Sequence, residues 1–122
     1  MEIEKLEHVT VRVRDLDESE RFYTEILGLR SGPRPPFPFP GAWLYAGETP
    51  IVHLVAGRPA EGAATGALDH IGLVASDPAV FIARCVDNEV AYDEREVPGL
   101  GLRQVFVNDP NGIRIELNFP AG

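Results

Sequence analysis

Cysteine, basic residues and long apolar runs are all scarce in this chain of 122 residues. The one cysteine, Cys85, excludes an internal disulfide and fits a reducing compartment, so we expect a cytoplasmic protein. Eleven Lys and Arg residues against nineteen Asp and Glu residues give a net charge of −8. This charge argues against nucleic acid as a partner, because phosphate binding needs a basic stripe. No apolar run approaches a membrane span and the N-terminus is unlike a signal peptide, so we expect no membrane partner.

A repeated motif places a histidine at the same point of each half of the chain. The sequence LEHVTVRVRD at 6–15 is echoed by LDHIGLVASD at 68–77, so that His8 and His70 are 62 residues apart. The chain is long enough for one domain with a real core and too short for two independent globules. We therefore expect a single domain composed of module 1 over about 1–57, a Gly- and Ala-rich linker over about 58–67, and module 2 over about 68–122.

Sequence periodicity predicts the same order of elements in both modules. In module 1, Asp17 and Glu20 have the spacing of a capping box and predict a helix that ends at Gly28. In module 2, Asp77 before a proline predicts a helix start, and that helix is predicted to end near Asn88. Runs of alternating apolar residues before and after the helices predict strands. The expected fold class is α+β, with two βαβββ modules that form a cupped mixed sheet.

A second, weaker echo relates IVHLV at 51–55 to RIELN at 114–118 and sets His53 against Glu116. Alternate residues of a strand lie on opposite faces of the sheet. The four residues at these repeated positions each lie opposite an aliphatic face of their strand: His8, His53, His70 and Glu116. We expect the aliphatic faces to pack on helices and the other faces to form a cup with polar groups inside.

These four residues form a candidate metal site between the two modules. Three imidazoles and one carboxylate suit Zn, Fe(II), Ni, Co or Mn rather than Ca or Mg. One carboxylate leaves residual positive charge on a divalent ion, which favours binding of an oxyanion or activation of water. The sequence therefore predicts one divalent metal per site, held by His8, His53, His70 and Glu116.

Five further residues are candidates for contacts with a small-molecule substrate. A proline-dense, stiff segment carries Phe37 and Phe39, which can line the rim of the site or pack on a partner subunit. Arg12 and Arg114 share the faces of the candidate ligands, and each can hold a carboxylate or form a salt bridge. Gln104 can donate a hydrogen bond to the substrate or lie at an exposed strand start.

The chain resembles the vicinal-oxygen-chelate superfamily, which includes glyoxalase I, extradiol dioxygenases, methylmalonyl-CoA epimerase, fosfomycin-resistance enzymes and bleomycin-resistance proteins. The opening module of that superfamily resembles LEHVTVRVRDL at 6–16, RFY at 21–23 and ILGL at 26–29. Its second module resembles LDHI at 68–71 and FVNDPNGIRIEL at 106–117. The resemblance covers nearly the whole chain and is specific to the superfamily, but not to one reaction.

The resemblance implies roles for the candidate ligands. His8, His70 and Glu116 match the metal positions shared by most metal-using members of the superfamily. His53 matches the variable fourth position. Members bind a substrate through two adjacent oxygens on the metal and stabilise an enediolate or other anionic intermediate. They usually close the cup by pairing modules within one chain or across a dimer, and we expect a homodimer here.

Three functions are compatible with this resemblance. A glyoxalase-like lyase or isomerase, similar to lactoylglutathione lyase, would transfer a proton with Glu116 as base, although glyoxalase I commonly has a glutamate in place of His53. An extradiol ring-cleaving dioxygenase would hold Fe(II) on two histidines and one carboxylate, with His53 as a neighbouring acid or base. A bleomycin-resistance-like protein would bind a cationic drug without catalysis, but such proteins generally lack the metal residues. The first function is our leading hypothesis.

Overall fold

The computed structural model of the protein describes residues 1–2, 4–57, 68, 70–97 and 101–120. The chain divides into two compact units, one within 1–60 and the other within 61–122. The predicted linker, about 58–67, lies outside the described residues. The single-domain organisation therefore stays a prediction, and each unit is described by itself.

The first unit contains a helix and a four-stranded mixed sheet. Its elements are β1 (Val9–Arg12), α1 (Leu16–Arg21, followed by a π-helical turn at Phe22–Ile26), β2 (Arg30–Gly32), β3 (Gly41–Ala46) and β4 (Thr49–Val55). The strand order is β1-β4-β3-β2, with β1 parallel to β4 and the other neighbours antiparallel. The short strand β2 is an element that the sequence pattern did not locate.

The second unit repeats this plan. Its elements are β5 (His70–Val74), α2 (Pro78–Asp87), β6 (Asp93–Val97), β7 (Leu102–Asn108) and β8 (Arg114–Pro120). The strand order is β5-β8-β7-β6, with β5 parallel to β8. Two four-stranded mixed sheets with helices confirm the predicted α+β class and the βαβββ order. Within the described ranges, no helix is long and apolar enough to cross a bilayer.

The start of helix α1 differs from the predicted one. Asp15, not Asp17, is the N-cap, and its side chain accepts a hydrogen bond of 3.0 Å from the backbone N–H of Glu18. The predicted cap was wrong because the chain turns into the helix soon after β1 ends, so Asp17 already lies in the first turn. Its charge suits the positive end of the helix there. The predicted end is confirmed, since Gly28 takes the positive φ of 74° that glycine adopts readily.

Both boundaries of α2 are confirmed. Asp77 is the N-cap and Pro78 is the first helical residue, where a missing backbone N–H leaves no helical hydrogen bond unmade. The backbone carbonyl of Asp77, rather than its side chain, accepts from the amides of Val80 and Phe81. Asn88 is the C-cap.

One face of each sheet is buried, as the alternation of residue types predicts. The buried strand residues include Val11, Leu44, Val52 and Leu54 in the first unit and Ile71, Val105, Ile115 and Leu117 in the second. Helix α1 packs against β3 and β4. On α2, the ring of Phe81 lies 6.2 Å from that of Phe119 on β8, and Cys85 is fully buried. The opposite face of each sheet is therefore the one on which the candidate ligands lie.

Candidate functional site

The first unit brings the side chains of His8 and His53 together. His8 directly precedes β1, and His53 lies on the parallel neighbour β4, beside Thr10 in the register of the two strands. The two imidazole rings stack with centroids 3.9 Å apart and planes 11° from parallel. Two of the four predicted metal ligands are thus in direct contact.

The carboxylate of Glu7 orients the ring of His8. Its Oε1 lies 3.0 Å from Nδ1 of His8. An ionised carboxylate only accepts hydrogen bonds, so Nδ1 carries the proton and a neutral ring keeps its lone pair on Nε2. Such a carboxylate behind a histidine is common in metal sites, where it sets the tautomer and the ring orientation. Because Glu7 is 77% exposed, this contact contributes orientation rather than stability.

His53 has the opposite arrangement of ring nitrogens. Its Nε2 lies 3.0 Å from the backbone carbonyl oxygen of Pro50. A carbonyl oxygen only accepts, so Nε2 donates and Nδ1 of the neutral ring keeps the lone pair. Burial lowers the pKa of His53 below its ordinary value, and the nearby His8 lowers it further. The ring is therefore neutral at pH 7 and able to accept a proton.

The stacking of the two rings limits how they can share one ion. The lone pair of an imidazole nitrogen lies in the plane of the ring, so a metal binds close to that plane. Two planes that are 11° from parallel, with centroids 3.9 Å apart, meet only far from both rings. His8 or His53 must rotate before both can bind the same ion. In the present geometry one of the two rings can act as a metal ligand, and the other can act as a proton acceptor next to it.

The second unit brings His70 and Glu116 together. The parallel pairing of β5 with β8 places Gly72 beside Glu116 and His70 two residues away on the same face. Nε2 of His70 lies 3.9 Å from Oε1 of Glu116. A tetrahedral ion with bonds of about 2.1 Å holds its donor atoms about 3.4 Å apart, so a small movement brings these two atoms to that separation.

Glycine and two amides determine the position of the Glu116 carboxylate. A Cβ at Gly72 would lie 3.3 Å from Oε2 of Glu116, so a side chain there would crowd the carboxylate. Oε2 accepts a hydrogen bond of 3.0 Å from Nδ2 of Asn118. Asn118 in turn accepts a 3.0 Å bond from Gln104. The predicted substrate residue Gln104 is thus linked to Oε2 of Glu116 by two hydrogen bonds through Asn118, and Oε1 is the oxygen nearer His70.

The donor atoms present fit a divalent transition metal. In the described part of each unit, no three His, Cys, Asp or Glu side chains are close enough to form a metal site by themselves. The first unit holds a pair of nitrogen donors, and the second unit holds one nitrogen and one oxygen donor. The chemistry of these donors is that of Zn, Fe(II), Ni, Co or Mn, as the sequence predicts.

The two candidate arginines have different surroundings. Arg12 is exposed on β1. The guanidinium carbon of Arg114 lies 4.4 Å from the centroid of the Phe106 ring, and that of Arg95 lies 5.2 Å from the same centroid. Arg114 therefore makes a cation–π contact. A role for either candidate in holding a substrate carboxylate stays a prediction.

The candidate residues Phe37 and Phe39 belong to a row of stacked rings. Their centroids are 5.2 Å apart, and Phe37 lies 6.4 Å from Trp43. The ring of Trp43 stacks on His53 at 4.1 Å, with planes 12° from parallel. Because His53 stacks on His8, the row joins the proline-dense loop to the candidate ligands.

An aromatic cleft lies beside this row of rings, and sequence reasoning located only part of it. The cleft is a cavity of about 200 Å³, and Trp43, Arg34 and Thr10 line it together with the two phenylalanines and His53. Trp43 and Arg34 were not among the predicted site residues. Trp43 could have been found from its pairing with His53 on the neighbouring strand. That pairing depends on a register shift in the β3–β4 hairpin, which the sequence pattern does not indicate.

Comparison with known proteins identifies the family. A family model described as the Glyoxalase/Bleomycin resistance protein/Dioxygenase superfamily matches residues 5–117. The chain belongs to this superfamily. The predicted resemblance to vicinal-oxygen-chelate proteins is thereby confirmed, and the two mixed sheets of this superfamily member are those of its fold.

Three relatives illustrate the similarity of this glyoxalase-superfamily chain to known proteins. Glyoxylase I 4 of Arabidopsis thaliana is 30% identical, over 96% of this chain and 71% of that protein. Lactoylglutathione lyase of Salmonella typhimurium is 32% identical, over 93% of this chain and 90% of that protein. The crystal structure of a glyoxylase/bleomycin resistance protein/dioxygenase domain from Frankia sp. EAN1pec has a TM-score of 0.80 at 22% identity, covering 98% of this chain and 94% of that one. This last likeness shows the fold alone.

Proposed function

We propose that the chain is a divalent-metal-dependent, glyoxalase-like lyase or isomerase that acts on a small substrate with two adjacent oxygens. The observation that carries the proposal is the pairing of candidate ligands on the polar face of each sheet. His8 contacts His53 in one unit, and His70 approaches Glu116 at equivalent strand positions in the other. The similarity to a glyoxylase I and to a lactoylglutathione lyase supports the same class of reaction.

The proposed metal ligands are His8, His70 and Glu116, with His53 as a fourth ligand or as a base beside them. When bound, the ion would polarise a substrate carbonyl group and stabilise negative charge on its oxygen. Glu7 holds His8 with its Nε2 lone pair available. Asn118 donates a hydrogen bond to one oxygen of Glu116 and holds the carboxylate in position.

The proton transfer is assigned to His53. Its ring is neutral, and its Nε2 is bonded to the Pro50 carbonyl, so Nδ1 is the accepting atom. A proton taken from one carbon of the substrate goes to Nδ1 and returns from there to the adjacent carbon, so no net proton is consumed. The stacked rings of His8 and Trp43 hold the imidazole in place on both faces. Glu116 is the alternative base if it leaves the ion during turnover.

Metal analysis combined with an activity assay tests this proposal. Protein purified anaerobically is expected to contain Zn, Ni or Co in a stoichiometric amount and to form lactoylglutathione or a related product without consuming oxygen. His8→Ala and Glu116→Ala should lose both the metal and the activity. Glu48→Ala, in the exposed turn between β3 and β4, is the matched control and should keep both. A wild-type protein that binds no metal would contradict the proposal.

A ring-cleaving dioxygenase is the second candidate function. The near-parallel planes of His8 and His53 favour a ligand set of two histidines and one carboxylate, which is typical of non-haem Fe(II) oxygenases. Iron in the anaerobic protein, with oxygen uptake that depends on a catechol, would establish this function instead. If no metal is found and His8→Ala leaves ligand binding unchanged, the protein is a non-catalytic binder.

We also propose that the protein is a homodimer, since members of the superfamily often dimerise. Sedimentation equilibrium at micromolar concentration is expected to give twice the 13.3 kDa mass of the chain. A monomer under these conditions would contradict this part of the proposal.

A further inference from the structure

Arg34, which lines the aromatic cleft, has no acidic partner among the residues that the structure describes. The chain carries 19 Asp and Glu residues against 11 Lys and Arg residues, yet within the described ranges no carboxylate forms an ion pair with Arg34. One amino group donates to the backbone carbonyl of Phe39 at 3.2 Å. Nε is buried and has no hydrogen-bond partner. The guanidinium therefore retains donors that no described residue satisfies.

Aromatic rings and a glycine hold this guanidinium in place. Its central carbon lies 5.3 Å from the ring centroids of both Phe37 and Phe39. A Cβ at Gly41 would lie 3.1 Å from an Arg34 amino nitrogen and only 2.4 Å from the carbonyl oxygen of Leu54. A side chain at position 41 would thus collide with the sheet and displace the arginine. The guanidinium is packed at the wall of the aromatic cleft rather than extended into solvent.

The charge at the lining of the cleft is positive. Arg34 is its only ionised residue, and the other lining groups are aromatic rings, aliphatic side chains and the hydroxyl of Thr10. An aromatic cage alone attracts cations, because the faces of the rings are electronegative. Here the arginine already occupies that environment and its charge repels a second cation. The volume of about 200 Å³ is below the roughly 300–1,000 Å³ of pockets for drug-sized ligands, so it suits one ring with a small substituent.

We infer that the aromatic cleft binds a planar carboxylate of the benzoate class, with its ring against Trp43 and its carboxylate on the guanidinium of Arg34. The planar fork of arginine matches the two oxygens of a carboxylate, and the indole of Trp43 provides a flat apolar surface for the ring. The inference rests on the proposed function in one respect, since the carboxylate is taken to be part of the substrate. Binding itself does not require the metal.

The fluorescence of Trp43 provides a direct test, because it is the only tryptophan of the chain. Benzoate added to the metal-free protein and to the metal-loaded protein is expected to change the emission in a saturable way in both. Benzamide has the same ring without the charge, and cyclohexanecarboxylate has the charge without a flat ring. Each is expected to bind at least about tenfold more weakly than benzoate, the effect of losing one charge-assisted hydrogen bond or one stacking contact.

Variants of the arginine locate the site. Arg34→Met, which keeps the bulk and removes the charge, should weaken benzoate binding about tenfold or more, with Arg34→Lys intermediate. Arg30→Met is the matched control. Arg30 also stacks on an aromatic ring, that of Tyr45 at 5.1 Å, but it does not line the cleft and its loss should leave binding unchanged. The comparison of ligands on the unaltered protein stands even if a variant fails to fold.

Several results would overturn the inference. Equal binding of benzoate and benzamide, tighter binding of benzyltrimethylammonium than of benzoate, or no saturable change in fluorescence would each do so. If the protein binds metal and turns over substrate but does not bind benzoate, only this inference is wrong. If the protein binds benzoate but no metal, only the proposed function is wrong.

Discussion

The two units have the same order of strands, but the polar face of one carries stacked rings and that of the other carries hydrogen-bonded amides and a carboxylate. In the first, the strand order β1-β4-β3-β2 supports stacked rings, with His53 between His8 and Trp43. In the second, the equivalent order β5-β8-β7-β6 supports a chain of hydrogen bonds that runs through Asn118 to Glu116. The duplicated topology determines where a side chain emerges, and the residue type determines what that position does.

This difference gives the candidate residues of the two units different surroundings. In the first unit, partial burial and the neighbouring His8 lower the pKa of His53, and the stacked rings offer a surface on which a flat apolar group can pack. In the second unit, the amides of Gln104 and Asn118 form a chain of hydrogen bonds that positions the carboxylate of Glu116. If the two units had identical residues, the chain would have either two sets of stacked rings or two hydrogen-bonded carboxylates, but not one of each.

Glu116→Gln should have the largest effect, because it removes the only carboxylate among the proposed ligands. We expect metal affinity and kcat/KM to fall by more than the about 10–100-fold that follows loss of a residue supporting a ligand. Metal titration and steady-state kinetics measure the two effects. Turnover at the wild-type rate would mean that the carboxylate of Glu116 is not a metal ligand.

Glu7→Gln should weaken metal binding about 10–100-fold, because the carboxylate behind His8 sets its tautomer and ring orientation. A competitive chelator assay measures the affinity without reference to activity. Glu4→Gln is the matched control, since Glu4 is also an exposed acidic residue near the start of the chain. Equal affinities for the two variants would contradict a positioning role for Glu7.

Gln104→Leu should have a smaller effect. The change removes the donor to Asn118, which in turn bonds Oε2 of Glu116. Loss of one neutral hydrogen bond of about 0.5–1.5 kcal/mol corresponds to a decrease of roughly 2–10-fold in kcat. A change confined to KM would instead indicate that Gln104 contacts the substrate directly.

The smallest effect concerns stability and pH. The pKa of His53 is lowered in the folded protein by burial and by His8, so the unfolded chain binds this proton more readily than the folded one. The contribution of His53 to stability is therefore present above the unfolded pKa of about 6.5 and is lost as the pH falls below it. Urea unfolding of wild type and His53→Gln between about pH 7 and 5 should show a shallower decline in the variant. Parallel curves would mean that the stacked environment does not favour the neutral ring.

Much of the fold, and the strand faces on which the candidate residues lie, could be predicted because the determining patterns are local. Alternation along the strands placed His8 and Glu116 opposite buried aliphatic residues, as the burial of Val11 and Ile115 confirms. The helix cap was wrong by two residues, because Asp15 and Asp17 both have suitable side chains and only the path of the chain after β1 selects between them. The metal ligands predicted from the repeat stay a proposal.

Trp43 shows why the rest of the site could not be predicted. Regular pairing from the turn at Gly47 would set Trp43 against Val52, on the buried face. In the structure the register shifts between Leu44 and Tyr45, and Trp43 pairs with His53 instead. A shift of one residue exchanges the two faces of a strand. The extra residue is Ile51 on β4, so the bulge brings His53 to the face on which Trp43 lies.

The sequence by itself determined the duplication, the α+β class and the face on which each repeated histidine lies, because strand periodicity and repeat spacing act over a few neighbouring residues. Only the tertiary structure decided that the first unit carries a row of rings with Arg34 at its wall, whereas the second carries an amide-bound carboxylate. A bulge in one hairpin and the path of a proline-dense loop determine those contacts. Neither follows from the alternation of residue types along a single strand, because each depends on how the segment packs on its neighbours.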